Sequence, residues 1–160
     1  MDIKTNAVII LLLMGGGSHT DVSLKTQNRA TRDVQIHCVP EKAFSWDEFI
    51  DALMWVESRY DTNAFNKSED AVGCLQIRPI MLREVNRVLR KETYTLHDRW
   101  DKVKSIEMFE IISSQVNRDK CKSFIEFCEV VARRWNGGRR GDRKKATILY
   151  WQRVEARMRK

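Results

Sequence analysis

Between residues 41 and 160 apolar side chains recur every three or four positions in five separate runs, the spacing of helices that bury one face. The first run opens on Ser45-Trp46-Asp47-Glu48. A serine followed three residues later by a glutamate, just ahead of a periodic run, is a capping box, so a helix is expected to start near Trp46. At about 100° per residue Trp46, Phe49, Ile50, Leu53, Met54, Val56 and Tyr60 share one arc, while Asp47, Glu48, Asp51, Ser58 and Arg59 fall on the other side. Residues 81–90 carry Met81, Leu82, Val85, Val88 and Leu89 at helical spacing, and 94–100 reads as a connector. Residues 101–116 offer Val103, Ile106, Phe109 and either Ile111 or Ile112. Ser123-Phe124-Ile125-Glu126 is a second capping box, opening a helix with Phe124, Phe127, Cys128, Val131 and Trp135 inward and Gly137-Gly138 as its stop. The last run, 146–158, sets Ala146, Leu149, Tyr150 and Val154 on one side. Strand patterns are almost absent and no repeat is visible, so a single, mainly α domain is expected over 41–160.

The first forty residues differ in kind. Ala7-Val8-Ile9-Ile10-Leu11-Leu12-Leu13-Met14 follows Lys4 and precedes three glycines. Eight apolar residues are too few to span a bilayer but fit the core of a secretory signal, which is assigned to residues 1–20. Asp2 and the lack of an Ala-x-Ala cleavage pattern depart from the usual signal; the segment is either removed or kept as a weak membrane tether. Residues 21–40 are polar, without period, and end at Pro40, as a linker would. An exported protein of the periplasm or cell envelope is therefore expected.

Charge adds a partner class. Lys and Arg total 29 against 22 Asp and Glu, a formal +7, which suits a nucleic acid, a membrane surface or an anionic wall polymer. No run reads as a nucleic-acid motif, and Arg139-Arg140-Gly141-Asp142-Arg143-Lys144-Lys145 reads as a solvated basic loop. Cys38, Cys74, Cys121 and Cys128 lack metal-site spacing and His19, His37 and His97 are scattered, so neither a metal nor another cofactor is expected. Cys121 and Cys128 stand about 10 Å apart along a helix, too far to bridge each other. A disulfide between some other pair is compatible with export, and Cys74 by default fills core space.

Glu57 breaks the pattern. It projects from the middle of the apolar arc, one turn beyond Leu53 and two beyond Ile50. A carboxylate there is costly unless it is paired or keeps its proton. Two readings follow: a structural partner for one of the arginines, or an acid of raised pKa at the edge of a cleft, serving as proton donor.

The residues around it carry a resemblance. Glu57-Ser58 at a helix end is followed, after a polar loop, by Gly73-Cys74-Leu75-Gln76-Ile77 with Pro79, then by Arg134-Trp135-Asn136-Gly137-Gly138, then by a helix holding Tyr150. These four blocks, in this order over roughly a hundred residues, resemble the lytic transglycosylase family of the lysozyme-like superfamily. The resemblance implies a lysozyme-like helical domain with a substrate cleft. It implies cleavage of the bond between N-acetylmuramic acid and N-acetylglucosamine in peptidoglycan strands. One glutamate would donate the proton and then, as base, help the muramic 6-hydroxyl close a 1,6-anhydro ring. That role falls to Glu57. By the same resemblance Ser58, Gln76 and Asn136 would bind substrate, and Tyr150 would also serve there or orient Glu57. Trp135, in place of the family tyrosine, is either core or a plate on which a sugar stacks.

Departures from the family pattern are Thr62 for a proline, Asp70 for the glycine before Ala71, and Arg134 for an alanine. They bear on loop stiffness and cleft charge more than on the reaction. Asp61 reads as a turn residue, whereas Glu69 or Asp70 could supply the second carboxylate a hydrolase normally needs, which makes a lysozyme-like hydrolase the nearest rival. A non-catalytic peptidoglycan-binding relative, and a small basic nucleic-acid-binding domain, are the alternatives from other classes.

Overall fold

The computed structural model of the protein describes residues 43–160; the expectations for 1–20 and 21–40 lie outside the described residues. Five α-helices and one short hairpin follow in order: α1 (Trp46–Ser58), β1 (Phe65–Asn66), β2 (Ala71–Val72), α2 (Pro79–Leu89), α3 (Lys102–Ser113), α4 (Phe124–Gly137) and α5 (Ile148–Met158). The chain is mainly α.

The start of α1 is the expected capping box in full: the Ser45 hydroxyl accepts from the Glu48 amide at 3.1 Å, and the Glu48 carboxylate accepts from the Ser45 amide at 2.8 Å. The helix stops because Arg59 turns left-handed (φ 58°), with the Tyr60 amide returning to the Met54 carbonyl at 3.3 Å. Beyond that stop the 100° step no longer applies, so Tyr60 does not join the apolar arc. Its hydroxyl donates to Asp51 at 2.8 Å on the surface.

Aromatic packing joins α1, α3 and α4. Phe109 stacks on Trp46 (centroids 5.7 Å apart) and meets the Trp135 ring nearly at right angles, 5.0 Å away. Phe49, Leu53, Leu75, Ile77, Met108 and Val154 are fully buried around them. Burial of this kind is worth about 2 kcal/mol or more per large side chain. α1 lies along α5, and α4 packs on α5 as well.

Several inward faces differ from the expected ones. Val103 and Leu149 are exposed (65% and 68%), while Met108, Ser105 and Trp151 are buried. In α3 apolar residues surround the helix on all sides, so the period alone does not select a face; the Trp46 and Trp135 rings select Phe109. In α5 the expected start at 146 is instead a tight 3-10 turn, Lys145–Thr147, and regular helix begins at Ile148. That leaves Ala146 exposed and puts Tyr150, Trp151, Val154 and Met158 inside. The second capping box is half present: Ser123 accepts from the Glu126 amide, but the Glu126 carboxylate takes the Lys122 amide. The hairpin, two residues per strand, is too short to leave a period-two signal. Cys74, Cys121 and Cys128 are all free thiols, so no disulfide forms among them. Cys38 lies outside the described residues.

Candidate active site

Glu57 occupies the last turn of α1, where the helix hands over to the 59–64 loop. The hairpin that follows brings the chain back: Phe65 pairs with Val72 and Asn66 with Ala71. Gly73 then turns at φ 77°, and a side chain there would collide with the Arg99 carbonyl oxygen, so only glycine fits. The Ser58 hydroxyl donates to the Cys74 carbonyl at 2.9 Å and fastens the end of α1 to this turn. Gln76 completes it in a left-handed conformation (φ 48°) unusual for a side-chain-bearing residue.

A pocket of about 150 Å³ lies between these segments and the ends of α2 and α4. Glu57, Gln76 and Asn136 all line it, together with Asn66, Glu69, Arg78, Ala71, Met81 and an edge of Trp135. Ser58 and Tyr150 are not among the residues that line it. Ser58 belongs to the frame. Tyr150, buried on α5, donates from its hydroxyl to Glu57 Oε1 at 2.6 Å across 93 residues of sequence.

That contact and the burial define the electrostatics. Removal from water pushes Glu57 up from 4.5 to about 7; the Tyr150 hydrogen bond and the charges of Arg78 and Arg153 pull it partly back, while Glu69 adds to the rise. Tyr150 is itself held well above its usual value, first by burial and then by Glu57, so it stays a donor. No described residue donates to Glu57 Oε2, and that oxygen is not sealed from solvent, so it opens onto the pocket. The site therefore offers one carboxyl group that can give or take a proton at neutral pH, held by one edge and free at the other.

The remaining polar groups divide by what they have left to offer. Gln76 Nε2 is occupied, donating to the carbonyls of Gly73 (3.0 Å) and Ala64 (3.3 Å), so this side chain presents its oxygen rather than a donor. Asn66 is the reverse: its oxygen takes the Ser68 amide and hydroxyl, and its amide nitrogen remains. The Asn136 side chain, in the last turn of α4, has no hydrogen-bond partner among the described residues and is exposed; the helix stop is Gly138. Trp135 is 4% exposed and packs on Phe109, so it is core with one edge at the pocket, not an open plate.

Of the other acids, Asp61 accepts from the Asn63 amide at 2.8 Å in a tight turn, as expected of a turn residue. Asp70 sits 3.6 Å from Arg99 and outside the pocket, whereas Glu69 lines it and faces Arg78 at 3.6 Å.

Arg99, Asn66 and Arg78 were not singled out from sequence. Arg99 is buried, and its guanidinium donates to the carbonyls of Leu96, Asp70 and Ile77 at 3.0, 2.7 and 2.9 Å, holding both sides of the 70–77 turn. An isolated arginine in a polar connector carries no periodic signal. Arg78 stands between Ile77 and Pro79, within the block that holds Gln76, so its place beside that residue was the available signal.

Among the described residues no group of three His, Cys, Asp or Glu side chains is placed to hold a metal ion, and no helix is long and apolar enough to cross a membrane. Comparisons with protein-family models, with curated proteins and with solved structures return no match to this chain.

Proposed function

We propose that the protein is an exported, lysozyme-like lytic transglycosylase that cleaves peptidoglycan strands, with Glu57 as its single catalytic acid and base. The observation that carries this reading is the state of Glu57: a carboxyl lifted to about 7 by burial, gripped by Tyr150 at 2.6 Å, with its other oxygen open to a polar pocket. A group that must first donate a proton and then accept one works best with a pKa near the ambient pH. Gln76 and Asn136 in the same pocket supply an acceptor and a free carboxamide for acetamido and hydroxyl groups. The ordered sequence blocks that resemble those of the transglycosylase family support the same reading.

Hydrolysis is the second reading, and Glu69 favours it by lining the pocket. Its pairing with Arg78 and its exposure argue for a carboxylate that is solvated rather than poised over a water.

The test is incubation of the purified protein with peptidoglycan sacculi and mass spectrometry of the soluble products. Anhydro-muropeptides are expected, falling by about a thousandfold in Glu57→Gln. Reducing ends at the same bond would replace the lyase with a hydrolase. Sacculus binding without release would make the protein a binding relative. The rate should fall as pH rises above about 7, because the reaction starts from protonated Glu57.

A further inference from the structure

Among the described residues Arg78 is the one cation lining the pocket, and it is underused. Its guanidinium is partly buried, with 28% of the side chain accessible, yet it makes no hydrogen bond to any described residue. Its nearest acid, Glu69, stands 3.6 Å away, beyond hydrogen-bond length, with 55% of its own side chain accessible. A guanidinium carries a rigid fork of donors that matches a carboxylate in a two-bond pair, and such charge-assisted pairs are the strong ones. A loose contact with a solvated rim glutamate leaves that capacity open. Glu57 shares the pocket and feels the Arg78 charge, so an anion on Arg78 must belong to the part of the substrate next to the reacting bond. On the wall polymer of the reading above, the muramic sugar itself carries a lactyl group. Its carboxylate is free where the peptide has been removed and is tied up as an amide where the peptide remains.

We propose that Arg78 is a specificity-determining residue: its guanidinium exchanges Glu69 for the lactyl carboxylate of a muramic sugar, so that peptide-free glycan strands are preferred to peptide-bearing ones. This rests on the peptidoglycan reading of the site. Asn66, with its amide nitrogen uncommitted, stands in the same wall to supply a further donor.

The experiment measures binding of the full chain carrying Glu57→Gln, by calorimetry, to three probes. They are peptide-free strands, the same strands with lactyl carboxylates converted to methyl amides, and peptide-bearing strands. Peptide-free strands should bind about tenfold tighter than the amidated ones. Adding Arg78→Met should erase that difference by weakening only the free-carboxylate probe, and Arg78→Lys should keep part of it. Equal binding of free and amidated strands, or discrimination that survives Arg78→Met, overturns the proposal. Preference for peptide-bearing strands, lost in Arg78→Met, moves the recognised carboxylate to the peptide and also overturns it. Cleavage by the unmodified chain, followed in parallel, judges the other reading: discrimination without any cleavage removes the enzyme and keeps the carboxylate site, cleavage without discrimination does the opposite, and no binding to any strand removes both.

Discussion

Glu57 holds a proton in the folded protein that it would release when unfolded. Below about pH 4.5 the group is protonated in both states and has no effect on stability. Between 4.5 and about 7 only the folded state keeps the proton, so folding weakens as pH rises, and the loss levels off above 7. At its full extent this is worth about 3 kcal/mol. Glu57→Gln should therefore be more stable than the natural chain at pH 8, by up to about that amount, and equal to it at pH 4. Urea midpoints across this range check the sign. Tyr150→Phe should act in the other direction on the acid. The hydroxyl favours the carboxylate, so its loss lifts Glu57 further, moves the basic limb of the activity profile to higher pH and lowers the rate about tenfold through poorer orientation. Carbon-13 titration of the Glu57 carboxyl reads the shift directly.

At the level of elements, the pocket depends on one turn being held still. The 70–77 segment has almost no regular structure of its own, and its shape comes from partners elsewhere. Ser58 ties it to α1, Gly73 lets it pass close to the Arg99 backbone, and the buried Arg99 guanidinium caps three of the surrounding carbonyls. Ser105 on α3 in turn donates to the Arg99 carbonyl at 2.9 Å. Replacing Arg99 by methionine would strand those acceptors, the buried Ile77 carbonyl above all. A loss of about 3 kcal/mol is expected, with lysine recovering about half, read from urea unfolding. Activity should fall with Arg99→Met even under conditions where the chain remains folded, because Gln76 and Glu69 ride on the same turn.

At the scale of the molecule, no disulfide joins Cys74, Cys121 and Cys128, the three cysteines among the described residues. Burial pushes the Cys128 thiol up to about 12 and raises Cys74 as well, so neither is reactive in the folded state, whereas Cys121 is half-exposed. In a Cys38→Ser chain, a thiol reagent should label Cys121 quickly and reach Cys74 and Cys128 only on unfolding. A disulfide between any two of these three, found by mass spectrometry, would contradict the packing.

The sequence by itself determined the helices, the stop after Gly137 and the anomaly of Glu57, because capping and periodicity are local and each leaves its mark within a few residues. It also brought Glu57, Gln76 and Asn136 forward as a set, and those three do share a pocket. What only the tertiary structure decided is which side of each ambiguous helix faces inward and which polar atoms remain uncommitted. Val103 and Phe109 lie on one stretch of helix, yet only Phe109 finds Trp46 and Trp135. Gln76 spends its donors on its own loop, Ser58 faces backbone, and Tyr150 meets Glu57 from 93 positions away. Such facts depend on distances between segments remote in sequence, and local patterning carries no record of those distances.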